Sequence, residues 1–100
     1  MALKHLYLVE LTYPHPAEKF WRHLQAHQDY LNRMFEQDRF LAYGPKASGN
    51  GSVILVRGDL SRDELQALLA ADPFHQFGVA VYRVTEFSPF ECHPRLASLF

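Results

Sequence analysis

The sequence predicts an α+β domain in which two helices cover one face of a four-stranded antiparallel sheet. Three observations predict it. Short runs with apolar residues at every second position are interrupted by two stretches where they recur every three or four. The runs fall in the order β-α-β-β-α-β. One hundred residues make a single domain, and 48% hydrophobic content is enough to give it a core.

Taken in order, residues 3–12 form the first strand, with Leu6 and Leu8 on one face and Tyr7, Val9 and Leu11 on the other. Pro14 and Pro16 stop it, and Pro16 suits the first position of a helix running to about residue 37. Phe20, Leu24, His27, Leu31 and Met34 line one stripe of that helix, at spacings of four, three, four and three. Residues 40–43 are a short strand closed by Gly44-Pro45. Residues 53–57 are a third, aliphatic enough to be buried on both faces. Ser61 and Glu64 form a capping box ahead of Leu65, Leu68 and Leu69, and Pro73 ends this second helix at Asp72. Residues 79–87 are the last strand, and Pro89 and Pro94 break up the segment beyond it. This is the ferredoxin-like arrangement, assigned to residues 1–90, with a tail over residues 91–100. Two helices leave one sheet face open. Because the first and third strands carry apolar residues on both faces, a second copy packed sheet to sheet is the expected cover, with the C-terminal tail, which offers only Leu96, Leu99 and Phe100, as the alternative.

Composition excludes several classes of partner. Ten Lys and Arg against eleven Asp and Glu give a formal charge of −1, which offers no basic face for nucleic acid and no polybasic membrane anchor. The apolar run at the start is broken by Glu10, so it reads as neither a signal segment nor a membrane span. A single cysteine, Cys92, excludes an intrachain disulfide and fits a reducing, cytoplasmic setting.

Two polar residues interrupt the apolar stripes. His27 lies mid-stripe on the first helix, and Asp72 continues the Leu65, Leu68, Leu69 face of the second. A carboxylate at a helix C-terminus opposes the macrodipole, and an isolated buried one is costly, so Asp72 needs a partner. His27, on the neighbouring helix and facing the same layer, is the obvious one. A carboxylate that orients an imidazole and stabilises its protonated form makes an acid–base catalyst; the same pair also serves as a buried structural contact.

Several stretches, in register, resemble the YciI-like (YCII-related) family of the dimeric α+β-barrel class. They are His27-Gln28-Asp29-Tyr30-Leu31, Leu41-Ala42-Tyr43-Gly44-Pro45, Gly51-Ser52-Val53-Ile54, Ala70-Ala71-Asp72-Pro73-Phe74 with Gly78-Val79, and Pro89-Phe90. The resemblance covers about residues 4–90. It implies an active site on His27 and Asp72, with Ser52 and the backbone of Gly44 and Pro45 lining the substrate pocket. It implies no cofactor and no metal, a homodimer, and proton transfer or dehalogenation on a small cyclic or aromatic substrate, chemistry of the lyase or isomerase kind. The alternative is a non-catalytic ligand-binding or interaction module with a structural His–Asp pair. Two departures stand out. The family's Arg three residues before the His is Leu24 here, with Arg22 five before it. Its glycine after the first helix is replaced within Gln37-Asp38-Arg39.

Other candidates carry less. His23 and His27 have metal-ligand spacing but no evident third ligand, so His23 reads as a flank of the stripe. Cys92-His93 is a solvated pair in a proline-bounded tail. Trp21, Tyr30 and Phe35 could stack on a ring-shaped ligand but have core spacing. Gly49-Asn50-Gly51 matches no phosphate loop and reads as a hairpin turn.

Overall fold

A computed structural model describes residues 5–14 and 17–98. The chain runs β1 (Leu6–Thr12), α1 (Ala17–Glu36), β2 (Phe40–Pro45), β3 (Gly51–Arg57), α2 (Arg62–Ala70), α3 (Pro73–Gln76), β4 (Val81–Phe87) and α4 (Pro94–Ala97). The four strands form one antiparallel sheet in the order β2-β3-β1-β4, the ferredoxin-like α+β topology. Pro16, expected to start the first helix, and the beginning of the first predicted strand lie outside the described residues.

Strand alternation decides what is buried. Tyr7, Val9 and Leu11 of β1 pair with Val56, Ile54 and Ser52 of β3, and this face meets the helices. Tyr30 and Leu31 of α1, Leu65 and Leu69 of α2, and Phe74 of α3 complete the core. The Tyr7 hydroxyl donates to the Leu60 carbonyl at 2.7 Å. The Tyr30 hydroxyl donates at 2.7 Å to the Leu68 carbonyl in the last turn of α2, which the C-cap amide of Ala71 also reaches at 3.3 Å. The Ser61–Glu64 capping box is made in both directions.

The opposite face is apolar only in part. Leu6, Leu8, Val53, Leu55, Val81 and Phe87 share it with Glu10, Thr12, Arg57, Arg83 and Thr85. Lys46 reaches across it to Glu10 at 3.1 Å and Thr12 at 3.0 Å. Gly51 makes that crossing possible, because a Cβ there would lie 3.1 Å from the lysine Cε and 1.9 Å from the Leu11 carbonyl oxygen.

Three expectations need correction. The last strand begins at Val81, not residue 79, because the Val79 and Ala80 amides turn back to donate to the Phe74 carbonyl. The third strand begins earlier than expected, at Gly51. Asp72 does not sit at a helix C-terminus: α2 ends at Ala70, and Asp72 is the N-cap of α3. Pro73 forces both outcomes. It holds the preceding residue in extended geometry, here φ −68° and ψ 128°, and it sets the first helical dihedral of the next turn. The carboxylate therefore lies on the favourable end of a helix.

Candidate functional site

The site is built where α1 crosses α3 above the sheet. His27 and Asp72 are fully buried, and His27 Nδ1 lies 2.7 Å from Asp72 Oδ1. The same carboxylate oxygen accepts the Phe74 backbone N–H at 2.9 Å. The other, Oδ2, accepts a short hydrogen bond from the Tyr82 hydroxyl. An ionised carboxylate only accepts, so Asp72 holds a ring proton on Nδ1, and in the neutral imidazole Nε2 carries the lone pair. Among the described residues, buried Nε2 has no hydrogen-bond partner.

Aromatic rings fix the imidazole from its flanks. The Phe74 ring lies parallel to it at 3.8 Å between centroids, and Tyr43 meets it edge-on at 6.2 Å. Phe20 and Tyr13 extend this cluster around Phe74. Burial, reinforced by the negative charge of Asp72, pushes the Tyr82 and Tyr30 phenols well above the usual tyrosine range. Burial likewise pushes Tyr13 up to about 12, against the opposing effect of its bond to Ser52. All three phenols are therefore neutral hydrogen-bonding groups at ordinary pH.

The remaining predicted residues sit at one end of the sheet. Ser52 is buried on the helix-facing side, where its Oγ accepts from the Tyr13 hydroxyl at 2.9 Å. Pro45 is directly opposite Ser52, whereas Gly44 pairs with Val53, whose side chain points to the open face. Gly44 can thus border the helix side only with its backbone. His23 stacks on Phe77 at 4.3 Å, and no group of three metal-ligating side chains occurs among the described residues. His93 caps α4 by accepting the Arg95 amide, so Cys92 and His93 immediately precede this helical turn. No helix among the described residues is long and apolar enough to cross a membrane.

Sequence reasoning misses Tyr82 and the role of Phe74. A signal exists for the first: Tyr82 and Val84 occupy inward positions of β4, and a tyrosine hydroxyl facing a core needs a partner. Asp72-Pro73 is also a readable N-cap followed by proline at the first helical position.

Fold and site together describe a small ferredoxin-like domain with a buried His–Asp pair between its helix layer and its sheet. The YCII-related domain model matches residues 6–88, and the chain belongs to that family. No curated protein matches the sequence. Among solved structures, the chain is similar to 5-chloro-2-hydroxyhydroquinone dehydrochlorinase (TftG) from Burkholderia phenoliruptrix AC1100, in complex with 2,5-dihydroxybenzoquinone. Identity is 20%, coverage is 83% of this chain and 93% of that one, and the TM-score is 0.70. A looser likeness, at 15% identity and a TM-score of 0.49, is to SnoaB, a cofactor-independent oxygenase from Streptomyces nogalater, covering 93% of this chain and 99% of that one.

Proposed function

We propose that this protein is a cofactor-free enzyme of the lyase or isomerase kind, acting on a small cyclic or aromatic substrate with His27 as general acid–base. The observation that carries this reading is the asymmetry of the imidazole. Nδ1 is held by a carboxylate with two further donors, and Nε2 is left free. In this reading Nε2 takes a proton from substrate carbon or oxygen, and Asp72 stabilises the imidazolium. Returning the proton to another atom completes an isomerisation. Alternatively, the C–H electron pair forms a double bond while the neighbouring C–X pair departs with the halide. TftG, by its name, performs a dehydrochlorination on a ring substrate, and that substrate class is carried over here as part of the proposal. Ser52 and the backbone of Gly44 and Pro45 bind the substrate, Asp72 orients the catalyst, and two copies pack sheet to sheet through the open face. A reducing, cytoplasmic setting suits the single Cys92.

The test is a turnover screen of chlorinated phenols, hydroxyquinones and lactones. Activity should fall by about 10²–10⁴-fold in His27→Gln. A variant that stays folded and fully active removes the proposal. Complete burial of both side chains favours a second reading, a structural pair in a non-catalytic binding module. It predicts that no compound is turned over and that His27→Ala loses stability alone. For the dimer, Leu8→Glu on the open face should convert a two-chain sedimentation mass to that of one chain; a single-chain mass for the wild type refutes it.

A further inference from the structure

Proton transfer at His27 needs a way to a nitrogen that the structure seals. A groove of about 200 Å³ lies between α1 and β2, lined by Gln28, Leu31, Asn32, Phe35 and Tyr43. Tyr43 belongs to both places: it lines the groove and its ring meets the edge of His27. The sheet order puts β4, with the Tyr82 hydroxyl on Asp72, on one edge and β2, with Tyr43, on the other. Asp72, bonded to Tyr82, thus lies toward the β4 edge, while the ring that meets His27 edge-on belongs to the β2 edge.

The placement of Tyr43 is not what strand alternation dictates. Phe40 faces the helices opposite Val56, so in a regular strand position 43 would face away from them. An irregularity between Phe40 and Ala42 shifts the register and brings Tyr43 opposite Ile54, on the helix side. Bulges of this kind re-aim side chains beside sites. β2 is an edge strand, and the ring is 40% exposed.

We infer that Tyr43 is a gate between this groove and His27 Nε2, admitting a single-ring ligand that carries an O–H or N–H donor. An apolar cavity of about 150 Å³ takes up benzene, so about 200 Å³ accommodates one substituted ring. Phe35 and Tyr43 supply aromatic walls, and Gln28 and Asn32 supply amides for ring substituents. In the neutral imidazole, Nε2 accepts from a donor and pairs with nothing that lacks one. The inference rests on the His27 reading for its purpose but is tested without turnover.

Diethyl pyrocarbonate acylates unprotonated imidazole, and peptide mass spectrometry reads each histidine separately. His75, which is exposed, serves as internal control. Tyr43→Ala should accelerate labelling of His27 by about tenfold or more, as expected when an opening step is removed. Tyr43→Phe, which keeps the ring, should leave it at the wild-type rate. In Tyr43→Phe, which keeps both aromatic walls, 1,2-dihydroxybenzene should protect His27 and leave His75 unprotected. If Tyr43→Ala does not fold, Tyr43→Val, which retains a strand-forming side chain, takes its place. Unchanged His27 labelling in Tyr43→Ala overturns the gate, and accelerated labelling there without protection in Tyr43→Phe overturns the ligand class. Accelerated and protected labelling with no turnover of any compound keeps the gate and removes the enzyme.

Discussion

Replacing Asp72 by alanine takes one acceptor from three donors at once. The carboxylate holds His27 Nδ1 at 2.7 Å, the Phe74 amide at 2.9 Å and the Tyr82 hydroxyl, and it is the N-cap of α3. His27 and Phe74 are fully buried, so neither orphaned donor finds water without local opening. A buried donor left unpaired costs about 1–3 kcal/mol, and two are orphaned here, the His27 and Phe74 N–H groups. The Tyr82 hydroxyl, half-buried, can turn to solvent and adds little. The expected cost of Asp72→Ala is therefore about 2–6 kcal/mol, a large share of the 5–15 kcal/mol typical of a domain. Asp72→Asn is the informative comparison. Its carbonyl can still accept from His27 and Phe74, and its amide can donate to a Tyr82 hydroxyl that has reversed direction. That change removes charge and keeps connectivity, and should cost about 1–2 kcal/mol. Urea unfolding followed by far-ultraviolet circular dichroism measures both, with the slope confirming that the transition is unchanged. Equal costs for the two substitutions, or less than about 1 kcal/mol for alanine, would refute the account of the carboxylate as the shared acceptor.

Three further outcomes are expected from other parts of the fold. Asp38 has φ 58°, and the Asp38 and Arg39 amides return to Phe35 and Met34, so α1 ends in a Schellman motif with aspartate in the left-handed position. Asp38→Gly should stabilise the domain by up to about 1 kcal/mol, seen as a higher melting temperature; a lower one contradicts the strain argument. Burial of Tyr13, Tyr30 and Tyr82 raises their folded-state values, so their contribution is complete below about pH 10, the ordinary tyrosine value, and is lost as pH rises toward and beyond 12. Tyrosinate absorbance of these residues should appear together with unfolding, and their smooth ionisation in a folded protein would be inconsistent with burial. At the acid end, hydrogen bonds from Ser61 lower the Glu64 carboxyl, so its support for α2 is present above pH 4.5 and fades as pH falls below it. Glu64→Gln should flatten that part of the stability profile, and an unchanged acid slope would assign it to other groups.

Much of this architecture is written in local patterns. The inward residues of β1, the stripe of α1 and the Ser61–Glu64 box each report on geometry within a few residues, and each leads to the observed element. Pairing His27 with Asp72 needs only that two polar residues occupy apolar stripes on helices sharing a layer. The features hidden from the sequence depend on distant or irregular structure. The irregularity in β2 that redirects Tyr43 changes no residue type, so alternation places that side chain on the wrong face. Tyr82 meets Asp72 only after β4 has crossed to the sheet edge beside β1. Local pattern puts Asp72 at the end of one helix because Pro73 reads as a stop, although the same proline starts the next turn.

The unpartnered Nε2 bears on whether the pair serves stability alone. A buried ion pair is weak support for a fold, since apolar residues of similar volume often serve equally well or better. The position of His27 in a stripe of Phe20, Leu24, Leu31 and Met34 would suit a leucine, and Tyr82 and the Phe74 amide could satisfy Asp72 without it. Replacing His27 by leucine therefore removes one donor from a carboxylate that keeps two. It also removes a buried acceptor that has no partner among the described residues. If the pair is only structural, His27→Leu must lower stability by the several kcal/mol expected for breaking a buried pair. If the imidazole is present for its free nitrogen, His27→Leu should cost about 1 kcal/mol or less, or stabilise the domain, because burial of the side chain offsets the lost bond. A large loss on leucine substitution would favour the structural role; near-neutral stability would leave proton transfer as the reason for a histidine at this position.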